Sequence, residues 1–318
     1  MSLNSSRNRR SRRNSAGFSL TELMIVIVLL GIVMGTLMTV IVRQQRFYRG
    51  AADVMDTRGQ IRQAVDLLVA DLRGVSTANP ASLDITQMDD RSISYRSTFG
   101  SSVACVIGAG RLTLILPPEN VAKGNSLTRW LSQPAAGDSL FVYADSGEIG
   151  NPGVWIPAEV ANVVPLVGGC PASTGLTTAA DAASNSYTVT LSSALPAYVA
   201  TGVGAGNPVR FFRPVRYALY QPGSDWYLGY SECRGGVGCS ALEPIAGPYR
   251  PYIAAGAANG VTLAYFDSLG AATANRREVA QFRLILRGES GEPVSLSGGR
   301  ASIFRDSLDV RIAVRNRN

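Results

Sequence analysis

The chain has 318 residues, of which 46% are hydrophobic and only 17% are charged, and its formal net charge is +7. Five arginines and no acidic residue stand in residues 1–17, so the remainder of the chain is close to neutral. A protein that binds nucleic acid concentrates its basic residues on a folded surface. Here they are concentrated in an N-terminal tail, and we therefore expect no nucleic-acid partner.

The chain contains no histidine. This absence excludes Ser-His-Asp and Cys-His catalysis as well as histidine-ligated zinc. The adjacent carboxylates Asp89 and Asp90 are typical of a solvated turn, and the glycine-rich segments lack the pattern of a phosphate-binding loop. We therefore expect no enzymatic activity, no cofactor and no metal site.

An uncharged apolar segment runs from Leu23 to Val42. Its 20 residues are enough to cross the hydrocarbon core of a bilayer as a helix. The leader arginines outnumber Arg43 and Arg46 at the far end, so the leader should stay cytoplasmic and the following domain should be translocated. The segment is too long for the core of a cleaved secretory signal, and no small-x-small cleavage site follows it.

Glu22 lies at the head of this apolar segment, where a carboxylate needs an explanation. One interpretation is local, because Ser19-Leu20-Thr21-Glu22 fits a capping box, and an acid there meets the positive end of the helix dipole. The other interpretation uses the whole string GFSLTEL, residues 17–23, which follows a short basic leader. This string closely resembles the processing signal of type IV prepilins and secretion pseudopilins.

The resemblance implies a processing and assembly site of three residues. In that family a membrane peptidase cuts after the glycine, here Gly17, and methylates the new N-terminal residue, here Phe18. The glutamate five residues into the mature chain, here Glu22, is the family's assembly residue. A charged side chain at bilayer depth costs about 2.5–3.5 kcal/mol and tends to have a partner. We therefore predict that Glu22 pairs with the α-amino group of a neighbouring subunit. This amino group exists only after cleavage.

Apolar residues continue at helical spacing beyond the span, until Arg73-Gly74 provides a C-terminal stop. The apolar positions are Phe47, Ala51, Val54, Ile61, Val65, Leu68 and Leu72. The charged residues between them, including Asp71, are predicted to form a solvated face. The predicted boundaries are 1–17 for a basic leader peptide, 18–75 for the N-terminal helix, 18–42 for its transmembrane part and 43–75 for its amphipathic part.

From residue 76 to residue 318 the sequence shifts toward an alternation of apolar and polar residues, which is typical of strands. The predicted strands are RSISYRS, RLTLIL, SLFVYAD, SYTVTLS, VRYALYQ, DWYLGYS, VTLAYFDS, EVAQFRLILR and LDVRIAVR. Clusters such as PPEN, GNPG, QPGSD and EPIAGP are predicted turns. We therefore predict a β-rich globular domain over 76–318 and an α+β fold. In it a long N-terminal helix, transmembrane and then amphipathic, packs on a mainly antiparallel β domain, as in pilins.

The four cysteines are predicted to form disulfides, because an even number follows an export-like N-terminus. Four cysteines allow three connectivities, and the sequence does not choose among them. Cys233–Cys239 is the favoured pair, because the segment CRGGVGC surrounds a glycine-rich turn that can bring its ends together. Cys105–Cys170 then follows by elimination.

The C-terminal third carries a second resemblance, in the order of the segments VRYALY, WYLGYSEC, VTLAYFDSLG and EVAQFRLIL. This order resembles PilW-type minor pilins and the related J-type pseudopilins. It implies a subunit that primes assembly at or near the tip of a type IV pilus, or alternatively a pseudopilin of a type II secretion system. The implied partners are the prepilin peptidase/N-methyltransferase, other minor and major pilins, the inner-membrane assembly platform and the membrane.

The resemblance also implies a location in the bacterial inner membrane, with a cytoplasmic leader and a periplasmic globular domain, followed by assembly into a pilus or pseudopilus. An alternative of another class is a membrane-anchored surface adhesin or DNA-uptake module that stacks its ligand on aromatic side chains. The candidate aromatic residues are Tyr217, Tyr220, Trp226, Tyr227 and Tyr230. At strand periodicity half of them would face a core, so packing is the preferred interpretation. The region from Pro117 to Pro208 receives no role.

Overall fold

The computed structural model describes residues 19–77, 83–122, 124, 126–144, 153–235, 238–254, 258–295 and 300–314. Within this part of the chain, one long helix lies against an antiparallel sheet of 14 strands. The predicted α+β fold is confirmed. The leader and Phe18 lie outside the described residues.

Helix α1 comprises Leu20–Arg73, 54 residues, and is about 81 Å long at 1.5 Å per residue. Its side chains are exposed from Leu20 to Arg49, and from Gly50 onward one face is buried at helical spacing. The buried positions are Gly50, Val54, Thr57, Ile61, Ala64, Val65, Leu68 and Leu72. Phe47, predicted in the same stripe, is exposed instead, because the domain begins beyond it.

The strands pair antiparallel throughout, and two of them are unusually long. They are β1 (Ile85–Met88), β2 (Ser92–Ile107), β3 (Thr113–Leu116), β4 (Arg129–Trp130), β5 (Ser139–Ala144), β6 (Val154–Val167), β7 (Asn185–Leu191), β8 (Gly202–Tyr220), β9 (Trp226–Arg234), β10 (Gly238–Cys239), β11 (Glu243–Tyr249), β12 (Val261–Phe266), β13 (Gln281–Val294) and β14 (Ser302–Ala313).

Sequence periodicity missed five of these strands, β1, β4, β6, β10 and β11. The predicted turn EPIAGP is wrong, because these residues form most of β11, which pairs with β9. Its register against β9 shifts between Pro244 and Ala246 and again before Tyr249. Proline cannot donate to a sheet and is tolerated at such irregularities, so pairing with distant strands overrode the local turn pattern.

The first apolar core lies between α1 and the half of the sheet formed by β1, β9 and β11 to β14, with one end each of β2 and β8. Ile61, Leu68 and Leu72 of the helix are buried there with Phe282 of β13. A Cβ atom added to Gly288 of β13 would lie 2.9 Å from the Cδ1 atom of Ile61. Glycine at this position therefore allows the helix to approach the sheet closely.

The second apolar core fills a closed barrel. Strands β2, β3, β7, β6, β5 and β8 pair in that order, and β8 pairs again with β2, which closes the ring. Leu114, Leu140, Val189 and Phe211 are fully buried in its interior. Much of this barrel is formed by the region between Pro117 and Pro208, to which the sequence assigned no role.

A buried ion pair lies on β8 between the residues that this strand contributes to the two cores. Arg213 of β8 donates through Nε and Nη2 to the two carboxylate oxygens of Asp138, at 2.7 and 2.8 Å. The side chains are 7% and 0% exposed, and the guanidinium carbon lies 4.1 Å from the ring centroid of Phe99. This bidentate geometry is the one in which a buried pair compensates best for its desolvation. Because Nε of Arg234 in β9 also lies 3.5 Å from Oδ1 of Asp138, charge as well as apolar contact connects the barrel to the helix-packed half of the sheet.

Candidate assembly site at the start of the helix

The first turn of α1 is built without the capping box that the sequence allows. Ser19 is the N-cap residue, with φ −70° and ψ 144°, and the backbone N–H of Leu23 donates to its carbonyl at 3.1 Å. The Ser19 side chain makes no capping hydrogen bond, and its hydroxyl contacts the hydroxyl of Thr21 instead. The local interpretation of Glu22 as part of a capping box is therefore weakened.

Glu22 lies in the first turn of α1 and is exposed. Among the described residues it forms neither an ion pair nor a hydrogen bond. Its negative charge lies near the N-terminus of the helix, where it interacts favourably with the positive end of the helix dipole. The other two predicted site residues, Gly17 and Phe18, lie outside the described residues, so cleavage and methylation stay predictions.

The helix that carries Glu22 is long and apolar enough to cross a membrane. No side chain from Leu23 to Val42 is buried against the globular domain. This part of the helix is apolar on all sides. It therefore needs an apolar surrounding, which a bilayer or neighbouring helices provide.

Two disulfides lie in the globular domain. Cys105 of β2 is bonded to Cys170, which follows β6, with 5.6 Å between the Cα atoms. Cys233 and Cys239 are bonded across the pairing of β9 with β10, with 3.9 Å between the Cα atoms. Cys233–Cys239 is the pair that the segment CRGGVGC favours, and Cys105–Cys170 is the pair expected by elimination. Both lie far along the chain from Glu22 and stabilise the domain rather than the candidate assembly site.

Of the five aromatic side chains that could have formed a stacking platform, Tyr217 is buried, and Tyr220, Trp226, Tyr227 and Tyr230 are half-buried. Tyr217 is only 3% exposed, and its ring centroid lies 5.1 Å from that of Tyr230. The hydroxyls of Tyr217 and Tyr95 both donate to Oδ2 of Asp71, at 2.7 and 2.9 Å. Burial is the largest cause of the raised pKa of Tyr217, followed by the charge of Asp71.

The prediction that Asp71 lies on the solvated face of the helix is wrong. Asp71 is half-buried and binds two sheet tyrosines at the point where α1 ends. The signal that could have found it is the set of tyrosines at alternate strand positions, whose hydroxyls need acceptors once buried.

Asp89 and Asp90 lie in the turn between β1 and β2, where sequence analysis placed them. Oδ2 of Asp89 accepts a hydrogen bond from the hydroxyl of Ser92 at 3.0 Å, and Asp90 accepts one from Tyr252 at 3.2 Å. Among the described residues there is no group of three or more Cys, Asp or Glu side chains placed to hold a metal ion. The two carboxylates therefore support the turn.

An exposed apolar helix with a carboxylate in its first turn is joined to an antiparallel β domain, which is the α+β architecture expected of a membrane-anchored, pilin-like protein. Residues 12–38 match the family model of the prokaryotic N-terminal methylation motif. This match supports assignment of the chain to the type IV prepilin and pseudopilin family. Comparisons with curated proteins and with solved structures gave no match.

The motif has three general implications for this chain. It implies processing by a prepilin peptidase and assembly with other pilins. Together with the apolar helix it indicates single-pass anchoring in the inner membrane. It is also the motif of a structural protein family rather than of an enzyme family.

Proposed function

We propose that the protein is a PilW-like minor pilin, cleaved between Gly17 and Phe18, N-methylated at Phe18 and incorporated at or near the tip of a type IV pilus, where it primes assembly. The observation that carries this proposal is Glu22, an exposed carboxylate on the membrane-spanning helix with no partner among the described residues. Such a charge is costly at bilayer depth until a counter-charge reaches it.

Cleavage after Gly17 would create that counter-charge. The new α-amino group of Phe18 is cationic, and the same group on a neighbouring subunit can reach Glu22 when two helices lie side by side. The pairing is then formed only by processed subunits in contact. Membrane insertion does not depend on it, because the apolar segment from Leu23 to Val42 is sufficient for insertion.

The proposed tip position is supported by the barrel. It adds a second lobe, with its own core, to the half of the sheet that packs on α1. A subunit repeated along a shaft would have to accommodate this lobe at every repeat, whereas a subunit at the tip would not. In the proposed orientation the leader is cytoplasmic and the domain over residues 76–318 is periplasmic, where its disulfides can form.

The partners we propose are the prepilin peptidase/N-methyltransferase, other minor and major pilins and the inner-membrane assembly platform. The runner-up function is a J-type pseudopilin of a type II secretion system, which shares the processing signal and the helix-on-sheet architecture. Purification of the tagged protein with its neighbours distinguishes the two, because a pilus and a secretion pseudopilus contain different companion subunits. A ligand-binding adhesin is less well supported, because Tyr217 is buried.

The test replaces Glu22 and follows the protein in cells. We expect Glu22→Gln and Glu22→Ala to insert and be cleaved normally but to lose most of their incorporation into filaments, measured by immunoblotting of sheared filaments against the membrane fraction. Ser19→Ala is the matched control, because it removes the potential capping side chain without changing charge, and it should assemble normally.

Mass spectrometry of the mature N-terminus completes the test. Methylated Phe18 is the expected result, and a chain that keeps residue 1 or 2 as its N-terminus contradicts the assignment. Normal incorporation of Glu22→Ala would show that the carboxylate has only a local role in the helix.

A further inference from the structure

We propose that the juxtamembrane segment of α1, Arg43–Arg49, is a binding site for the anionic headgroups of membrane lipids directly beneath the globular domain. Its ligands are the phosphates of the bilayer surface, held by Arg43, Arg46 and Arg49, with Phe47 and Tyr48 beside them. The proposal rests on the membrane span of α1 and is independent of the filament in which the protein serves.

The length of the helix places this segment at the depth of the lipid headgroups. The apolar residues Leu23–Val42 account for about 30 Å of hydrocarbon. Gly50 is the first buried residue of α1, so the globular domain begins there. Between Val42 and Gly50 the helix advances about 12 Å, whereas the headgroup layer is about 5–8 Å thick on each side. The segment therefore crosses the headgroup layer, and the domain begins a short distance beyond it.

The charges of this segment have no counter-charge in the described part of the chain. Arg43, Arg46 and Arg49 are all exposed, and among the described residues none of them forms an ion pair or a hydrogen bond. At about 100° per residue they lie within roughly 120° of the helix circumference. No acidic residue stands between Glu22 and Asp53.

A patch of positive charge at this depth is suited to one class of ligand, the anionic headgroups of lipids. Guanidinium groups bind phosphate oxygens bidentately and are more weakly hydrated than ammonium groups, which suits them to the membrane surface. Phe47 and Tyr48 are 49% and 69% exposed. Aromatic side chains with an apolar body are enriched at this level of a bilayer, so the two rings add to the contact.

The lipid contact also explains an apparent conflict with membrane topology. In the proposed orientation these three arginines lie on the translocated side of the span, where the positive-inside rule predicts few basic residues. Binding to anionic headgroups gives them a role at that surface. Such binding weakens with salt, because the attraction is screened within a Debye length of about 8 Å at physiological ionic strength.

The test uses the full-length protein in phosphatidylcholine liposomes that contain a trace of spin-labelled lipid. The measured quantity is the association constant of spin-labelled phosphatidylglycerol at the protein surface divided by that of spin-labelled phosphatidylcholine. Each arginine near an anionic surface contributes roughly a five-fold preference. We expect R43Q/R46Q/R49Q to lower the ratio several-fold at low salt, and R43K/R46K/R49K to retain most of it. The leader arginines are the same in every variant and cancel in this comparison.

The matched control is R62Q/R73Q/R277Q, which removes the same charge from exposed positions of the globular region. We expect its ratio to equal that of the wild type. The proposal is overturned if the glutamine variant of the juxtamembrane segment keeps the wild-type ratio, or if the control loses as much. It is equally overturned if the lysine variant loses the preference as fully as the glutamine variant, because attraction between charges would then not be its cause.

Discussion

Three acidic side chains, Asp71, Asp84 and Asp138, connect separate segments of the globular domain. Asp71 joins the end of α1 to two sheet tyrosines, and Asp138 joins β8 to the segment before β5 through Arg213. Asp84 accepts a hydrogen bond from the backbone N–H of Ser76 at 2.6 Å. Each of them forms directional bonds where two segments of the fold meet, so that hydrogen bonds as well as apolar contacts hold these segments together.

Asp84 gives the domain a stability that depends on pH. Burial is the largest cause of its shift and raises its pKa to about 6, although the Ser76 hydrogen bond and Arg96 act in the opposite direction. Because the folded pKa is above the ordinary value of 3.8, ionisation opposes folding. Asp84 therefore lowers the free energy of unfolding progressively as the pH rises from about 4 to about 6.

We predict that Asp84→Asn removes this contribution, because an amide cannot ionise and its oxygen can still accept from Ser76. The Tm of the variant should rise relative to that of the wild type between pH 4 and pH 7, measured on the full chain in detergent micelles. Asp56→Asn, which removes a carboxylate from an exposed position of α1, should follow the wild type across this range. Parallel curves for wild type and Asp84→Asn would contradict the prediction.

At the scale of elements, the two disulfides should differ in what they contribute. Cys105–Cys170 closes a sequence separation of 65 residues and Cys233–Cys239 one of 6. The entropy of loop closure in the unfolded chain then predicts about 4 kcal/mol for the first and about 2 kcal/mol for the second. The longer loop carries β3, β5 and β6, so this bond constrains half of the barrel's strands.

We predict that Cys105→Ser/Cys170→Ser lowers the free energy of unfolding about twice as much as Cys233→Ser/Cys239→Ser. Guanidinium unfolding of both variants, with far-UV circular dichroism as the signal, measures the difference. Equal losses would mean that loop length does not set the contribution. Reduced wild-type protein is the control, since it should match the loss of both bonds together.

Sequence periodicity identified the elements that are regular over many residues. The buried face of α1 follows from apolar residues at helical spacing, and strands such as β12 follow from clean alternation. Strands β6 and β11 were missed because Pro157, Pro165, Pro244 and Pro248 interrupt the pattern that identifies a strand. The barrel was not predictable either, because its closure depends on pairing of β2 with β8, about a hundred residues away along the chain, and alternation does not encode partners.

The functional and structural residues of the protein also differ in whether the sequence alone could identify them. The carboxylate of Glu22 and its position ahead of the apolar segment are properties of the local sequence, and so they were accessible without a structure. The role of Asp71 depends on Tyr95 and Tyr217, which reach it only after the sheet has formed. A residue whose partners are distant in sequence is therefore assigned wrongly when charge alone places it on a solvated face.

At the scale of the whole molecule, the two cores share their longest strands. Strand β2 pairs with β8 from Ser92↔Ala218 to Ile107↔Gly202, through both the helix-packed half of the sheet and the barrel. Unfolding one lobe would leave half of each strand without partners for its backbone groups. We therefore expect the domain to unfold as one cooperative unit in spite of its two cores.

Leu140→Ala tests this expectation, because Leu140 is fully buried in the barrel. Truncation should cost about 2–5 kcal/mol, and the loss should appear in hydrogen exchange of amides in both lobes by similar amounts. The control is Leu131→Ala, since Leu131 is 91% exposed and its loss should change neither lobe. Faster exchange confined to the barrel would show that the lobes open separately.

The continuous β2–β8 pair also has a mechanical consequence. A pulling force applied to the barrel along these strands and resisted in the helix-packed half would be carried by the covalent backbones of β2 and β8, which run through both lobes. It would load in shear the hydrogen bonds that join β2 to β1 and β8 to β9, so that many bonds share the force at once. Asp138, immediately before β5, contacts both Arg213 of β8 and Arg234 of β9, and so it joins the barrel to the neighbouring half of the sheet. The domain is thus built to transmit tension from its distal lobe to the helix that anchors it, without a flexible joint between the two.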